Sequence, residues 1–83
     1  MSVLRYPLAT EKAVAIITKS NVITYMVDFR ASKQVIRDEF EKTFNVKVKG
    51  IRTTNMPANT KKAFIKLAAP YKASDVAVKL KLV

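Results

Sequence analysis

The pattern that most constrains this chain lies at residues 33–44. Ile36, Phe40 and Phe44 recur four residues apart, and Val35 widens the stripe, so the segment is predicted to be a helix with one apolar face. Ser32 is placed to N-cap it and Asn45 to end it in the left-handed conformation. Its outer face sets Arg37 four residues before Glu41, and Asp38 four before Lys42. Asp38, Glu39 and Glu41 are half of the chain's 6 acids, so this face is the one least suited to meet phosphate. Such a helix must bury its stripe against another element.

The flanking sequence supplies strands. In Val22 to Phe29, rich in β-branched and aromatic residues, Ile23, Tyr25, Val27 and Phe29 share one face; Val22, Thr24, Met26 and Asp28 share the other. Val46 to Thr54 forms a further strand. There Val46 and Val48 point one way before the apolar position jumps to Ile51, a slip of one residue beside Gly50 that predicts a β-bulge. Lys61 to Leu67 puts Ala63, Ile65 and Leu67 on one face. The short loop Asn55 to Thr60, with Pro57 and two Asn, makes these last two strands an antiparallel hairpin. Val3 to Leu8, ending around Pro7, reads as an edge strand or extended arm. Thr10 caps a short helix with Glu11 in its first turn and Ala13, Val14, Ile16 and Ile17 as its apolar residues, and Ser20-Asn21 breaks it. Pro70 ends the last strand. Ser74 is expected to cap a final helix with Val76, Ala77 and Leu80 inward. The expectation is an α+β domain over residues 1–83, a single four-stranded, mainly antiparallel sheet with helices in the order β-(α)-β-α-β-β-α.

Charge then narrows the function. Sixteen Lys plus Arg face 6 acids among 83 residues, a net charge of +10. Self-repulsion at this level weakens a compact state unless something anionic is near, and nucleic acid is the commonest such partner. There is no Cys and no His, which removes the usual nucleophile–base pairs and the commonest metal ligands. The single glycine, Gly50, excludes a glycine-rich phosphate loop. We expect no enzymatic activity, catalytic residue, metal or cofactor, and no small-molecule substrate. The longest strictly apolar run, Ala13 to Ile17, is too short to cross a bilayer, so no membrane insertion and a cytoplasmic location are expected.

Two groups of cations are candidates for binding RNA. On the hairpin, Lys47 and Lys49 alternate with Val46 and Val48, while Lys62 and Lys66 flank Phe64. Alternation is expected to set these lysines on the face opposite the core, with Arg52 and Lys61 near the hairpin end. Exposed strand lysines also serve to block edge aggregation. Two facing basic strands repel each other, however, and call for an anionic partner. The second group is Arg5, Lys12, Lys19, Arg30 and Lys33. Tyr6, beside Arg5, is expected in the core, with stacking on a base as the alternative. No RNP-type motif is present, so recognition is expected by shape and phosphate. A free basic nucleic-acid-binding or chaperone protein fits the same charge.

Three segments resemble one family. Tyr6-Pro7-Leu8-Ala9-Thr10-Glu11-Lys12-Ala13 is similar to the P-x-x-[ST]-E-K-A opening of the universal large-subunit ribosomal protein number twenty-three family. Lys61-Lys62-Ala63-Phe64-Ile65-Lys66-Leu67 resembles its signature strand, [KR]-[KR]-A-[YF]-[VI]-K-L. Phe44-Asn45-Val46-Lys47-Val48 resembles its F-G-V-x-V, with Asn45 in place of Gly, a mild change because both residues tolerate a left-handed cap. The resemblance covers nearly the whole chain. It implies a structural constituent of the large ribosomal subunit that binds large-subunit ribosomal RNA near the polypeptide tunnel exit, among neighbouring ribosomal proteins. It also implies a docking site for nascent-chain factors such as signal recognition particle and, in bacteria, trigger factor, with Glu11 matching the glutamate that contributes to docking. Bacterial members carry a long hairpin extension and eukaryotic members a long basic N-terminal one. Neither is seen here, so the resemblance implies a compact, archaeal-type form, and low acidity argues against a halophile.

Overall fold

Residues 3–81 are described by a computed structural model. The elements run β1 (Leu4–Pro7), α1 (Glu11–Ser20), β2 (Val22–Asp28), α2 (Lys33–Phe44), β3 (Val48–Met56), β4 (Thr60–Leu67) and α3 (Ala73–Lys79). The four strands form one antiparallel sheet in the order β1-β2-β4-β3, so β1 and β3 are the edges.

Local chemistry explains most boundaries. Thr10 and Ser32 N-cap α1 and α2, their hydroxyls accepting from the Ala13 and Val35 amides. Asn21 and Asn45 end those helices at φ 57° and 55°, the left-handed conformation that asparagine tolerates. The β3–β4 turn is Pro57-Ala58-Asn59, since Met56 already pairs with Thr60. Val48 pairs with Leu67 and Gly50 with Lys66, so Lys49 is the extra residue of the expected bulge, which turns Ile51 back to the core side. Gly50 itself has no left-handed φ, and a Cβ there would meet nothing within 4 Å. The Ala69–Pro70 peptide is cis.

The core lies between the sheet and α2, with α3 completing it. Ile23, Tyr25 and Val27 of β2, with Ala63, Ile65 and Leu67 of β4, meet Ile36 and Phe40 of α2 and Ala73, Val76 and Ala77 of α3. The Tyr25 ring meets Phe40 edge-on at 6.3 Å, and Phe40 stacks tilted on Phe44 at 4.7 Å. Burial pushes the Tyr25 phenol above its usual pKa.

Several expectations are corrected. Phe29 lies past the end of β2 and is exposed, so it does not share the core face. Val35 is also exposed, which narrows the α2 stripe to Ile36, Phe40 and the partly buried Phe44. The pairs Arg37–Glu41 and Asp38–Lys42 do not form. Glu41 instead accepts from the Val48 amide at 2.8 Å, and Asp38 accepts from Gln34. Ser74 lies inside α3 and does not cap it. Lys72 occupies that position without a side-chain bond, and Asn21 Oδ1 accepts from the Ala73 amide across the fold. The Asn21 Nδ2 group also donates to the Leu67 and Tyr71 carbonyls. One residue thus ends α1 through its backbone, and through its side chain begins α3 and pins the segment after β4.

Candidate nucleic-acid interface

The sheet face turned away from α2 is the open face. Strand alternation and register assign its residues. Lys62 sits between Met26 and Thr54, Phe64 between Thr24 and Arg52, and Lys66 between Val22 and Gly50. Tyr6, opposite Met26, extends this face across β1. Tyr6 is 54% exposed, so the expected core packing does not occur. The Lys62 ammonium stands 5.9 Å from the centroid of the Phe64 ring, within cation–π range.

Helix α1 crosses one end of this face. Its Ile17 joins the core cluster, while Ile16 overlooks the open side and borders two grooves on either side of Phe64. One is lined by Ser20, Val22, Gly50, Ile51, Arg52 and Lys66 together with Ile16 and Phe64. The other brings in Lys12 of α1, beside Lys62 and Thr24. Four cations, Lys12, Arg52, Lys62 and Lys66, therefore surround a half-buried aromatic ring, and no carboxylate lines either groove.

Other predicted cations fall elsewhere. Lys61 shares the α2 side with Val27 by register, and its ammonium donates to the Ala31 carbonyl at 2.9 Å. It is not on the open face at the hairpin end. Lys47 precedes β3 and borders a hollow with Asp38, Glu41 and Lys42, so it does not join Lys62 and Lys66 either. The reason is that expected alternation across residues 46–49 presumes regular strand, whereas β3 starts only at Val48 and Lys49 is the bulged residue. Lys49 is exposed in the bulge, Lys19 lies in the last turn of α1, and Lys33 opens α2.

Arg5 and Arg30 do come together, around Asp28. The carboxylate lies 3.7 Å from Arg5 and 3.4 Å from Arg30, and it also accepts from the Arg30 amide at 2.9 Å. The Arg30 backbone and side-chain hydrogen bonds, then the two guanidinium charges, hold the Asp28 pKa below the usual carboxylate value. This corner carries two cations against one anion, so its field is weaker than that around Phe64. Among the described residues, no three of His, Cys, Asp and Glu gather as a metal site, and no helix is long and apolar enough to cross a membrane.

Sequence reasoning missed Ile16 and Thr24 as parts of this surface. Alternation already put Thr24 opposite the core, but nothing in the pattern reveals that α1 would lie over it.

A family model described as Ribosomal protein L23 matches residues 2–81. The chain is 42% identical over 81 residues to the large ribosomal subunit protein uL23 of Trypanosoma brucei brucei, covering 98% of this chain and 49% of that protein. It is 43% identical over 81 residues to the protein of the same name from Dictyostelium discoideum, covering 98% and 48%. The chain spans about half the length of these curated relatives. With a family match across almost its whole length and two such relatives, the chain belongs to the ribosomal protein L23 family.

Proposed function

We propose that this domain is a structural, non-enzymatic constituent of the large ribosomal subunit that grips large-subunit ribosomal RNA with the open face of its sheet. The carrying observation is the set Lys12, Arg52, Lys62 and Lys66 around Phe64, with no carboxylate in the grooves they line. Neutralising phosphate releases counterions, and the rigid sheet fixes the spacing of the charges it presents. Lys49, Lys19 and the Arg5–Arg30 corner extend the footprint along the same molecule. Lys33, Lys47 and Lys61 contribute less, Lys47 because acids adjoin it and Lys61 because its ammonium is already engaged.

In the subunit the domain sits near the polypeptide tunnel exit, among neighbouring ribosomal proteins in the cytoplasm. Its remaining surface helps dock nascent-chain factors such as signal recognition particle. Glu11 is exposed at the start of α1, accessible to such a factor. Family membership and the motif matched by residues 6–13 support this reading.

Filter binding of the chain to deproteinised large-subunit ribosomal RNA tests this reading. Log affinity should fall linearly with log salt, with a slope of about −0.7 to −0.9 per phosphate neutralised. A salt-independent affinity would contradict it. Equal affinity for duplex DNA in competition would favour a free nucleic-acid-binding protein instead.

A further inference from the structure

The two edges of the sheet are finished differently. β1 has four residues, a bulge at Arg5 and a proline at position 7, all devices that keep an edge from pairing. The start of β3 is closed as well, by the bulge at Lys49 and by the Glu41 carboxylate on the Val48 amide. Beyond it, Ile51 to Asn55 runs in regular register with no proline and no lysine. Its Ile51, Thr53 and Thr54 are β-branched, which suits a strand that is paired on both sides.

Register decides which backbone groups this stretch turns outward. The Leu67 amide donates to the Asn21 carbonyl, on the side of β4 away from β3. Antiparallel alternation then turns the backbone of Ile65, Ala63 and Lys61 towards β2, and that of Lys66, Phe64 and Lys62 towards β3. Gly50, Arg52 and Thr54 therefore bond β4, while the N–H and C=O groups of Ile51, Thr53 and Asn55 point out from the sheet. The Val48 amide, opposite Leu67 and taken by Glu41, obeys the same rule. No hydrogen bond from the rest of the described chain reaches Ile51, Thr53 or Asn55.

We propose that this edge receives an extended, acidic segment of a partner protein as a fifth strand. A row of alternating donors and acceptors is matched by another strand, whereas phosphate offers acceptors only. A second copy of the chain matches poorly. Two-fold pairing through Ile51, Thr53 and Asn55 sets Arg52 opposite or diagonal to the Arg52 of the second copy, and it joins two chains of net charge +10. Charge calls for carboxylates instead. Neither β3 nor β4 holds an acid, and Lys49 and Arg52 are exposed. The pleat sets the pattern of the incoming segment: apolar residues on the α2 side beside Ile51, acidic ones on the open side beside Arg52. The site is a backbone edge, separate from the grooves around Phe64, and it does not depend on the RNA-binding reading.

The probe is a blocked hexapeptide of alternating valine and glutamate, added to the full chain at millimolar concentration. At saturation, hydrogen exchange of the Ile51, Thr53 and Asn55 amides should slow about tenfold as their N–H groups become bonded. The Arg52 and Thr54 amides, already bonded to β4, should be unchanged. The same peptide N-methylated at its valines, which lie opposite the three outward residues, should protect none of them. Thr53→Pro should abolish protection at Ile51 and Asn55. It should keep the circular-dichroism spectrum, because the Thr53 N–H bonds nothing within the sheet, and it should leave affinity for deproteinised large-subunit ribosomal RNA unchanged. The methylated peptide tests the same edge on the unaltered chain. A peptide that slows none of the three amides, or slows them equally after N-methylation, overturns the proposal. Protection that appears in the free chain as its concentration rises would give the edge to a second copy, and protection by the RNA alone would give it to RNA. Either result also overturns the proposal.

Discussion

Lys61 and Lys62 are consecutive in β4 and meet different fates on the two sides of the sheet. The Lys61 side chain lies on the α2 side, where its ammonium is spent on the Ala31 carbonyl. Lys62 points to the open face, where its ammonium hovers over Phe64 beside a cleft lined also by Lys12. The same contrast holds for the acids. On the α2 side Glu41 and Asp38 are engaged by Val48 and Gln34, while the grooves of the open face have no acid at all. A positive charge serves a partner only where the fold has not already used it. The pleat decides which side a lysine takes, and the covering helix decides whether it remains available.

Charge reversal breaks the comparison most sharply. Changing Lys12, Arg52, Lys62 and Lys66 together to Glu should cost at least about a hundredfold in RNA affinity near physiological salt. The circular-dichroism spectrum should be unaltered. Reversing Lys42 and Lys47, two cations on the α2 side, should change affinity by no more than about threefold, because Asp38 and Glu41 adjoin them and few phosphate contacts are made there. Equal losses per reversed charge in filter binding from the two sets would erase the distinction between faces.

Stability should divide the other way. Phe40 is fully buried against Tyr25 and Phe44, so Phe40→Ala should destabilise by about 3–5 kcal/mol in urea denaturation. Phe64 is half-exposed on the open face, and Phe64→Ala should cost only about 1–2 kcal/mol. Phe64→Ala should nonetheless be the more damaging of the two to RNA affinity, measured where both remain folded.

The smallest expected effect concerns the corner where an acid does meet the open face. Asp28→Asn frees Arg5 and Arg30 and should raise RNA affinity about two- to threefold, as one screened surface charge allows. The folded-state pKa of Asp28 lies below its unfolded value. Its contribution to stability is therefore fully present above the ordinary aspartate value of about 3.9, and it is lost as pH falls through the depressed one. In Asp28→Asn, melting temperature plotted against pH should be flatter on that acid limb and unchanged in slope above about pH 5.

Much of this fold is legible in local pattern. The α2 stripe, the Asn45 cap, the hairpin and the bulge beside Gly50 all follow from period, capping chemistry and a one-residue slip. What local pattern could not supply depends on distant partners. Asn21 caps α3 from 52 residues away, and Ser74, which satisfies the local rule for a cap, is displaced by it. Glu41 has a helical neighbour four residues away in Arg37 and bonds the Val48 amide instead, satisfying a backbone donor at the start of β3. The candidate surface was half legible for the same reason. Alternation gave Lys62 and Lys66 their face, but assigned Lys47 to it by extending a strand across residues that precede one. The part played by α1, with Lys12, Ile16 and the buried Thr24, depends on where the helix lies over the sheet.

Amine acetylation footprinting of the chain, free and bound to deproteinised large-subunit ribosomal RNA, tests the central claim most directly. Lysine reactivity read by mass spectrometry should fall on binding at Lys12, Lys62 and Lys66 and stay as in the free chain at Lys42. Protection of Lys42 with Lys62 and Lys66 left reactive would contradict the account, because the RNA would then lie on the helical side of the sheet.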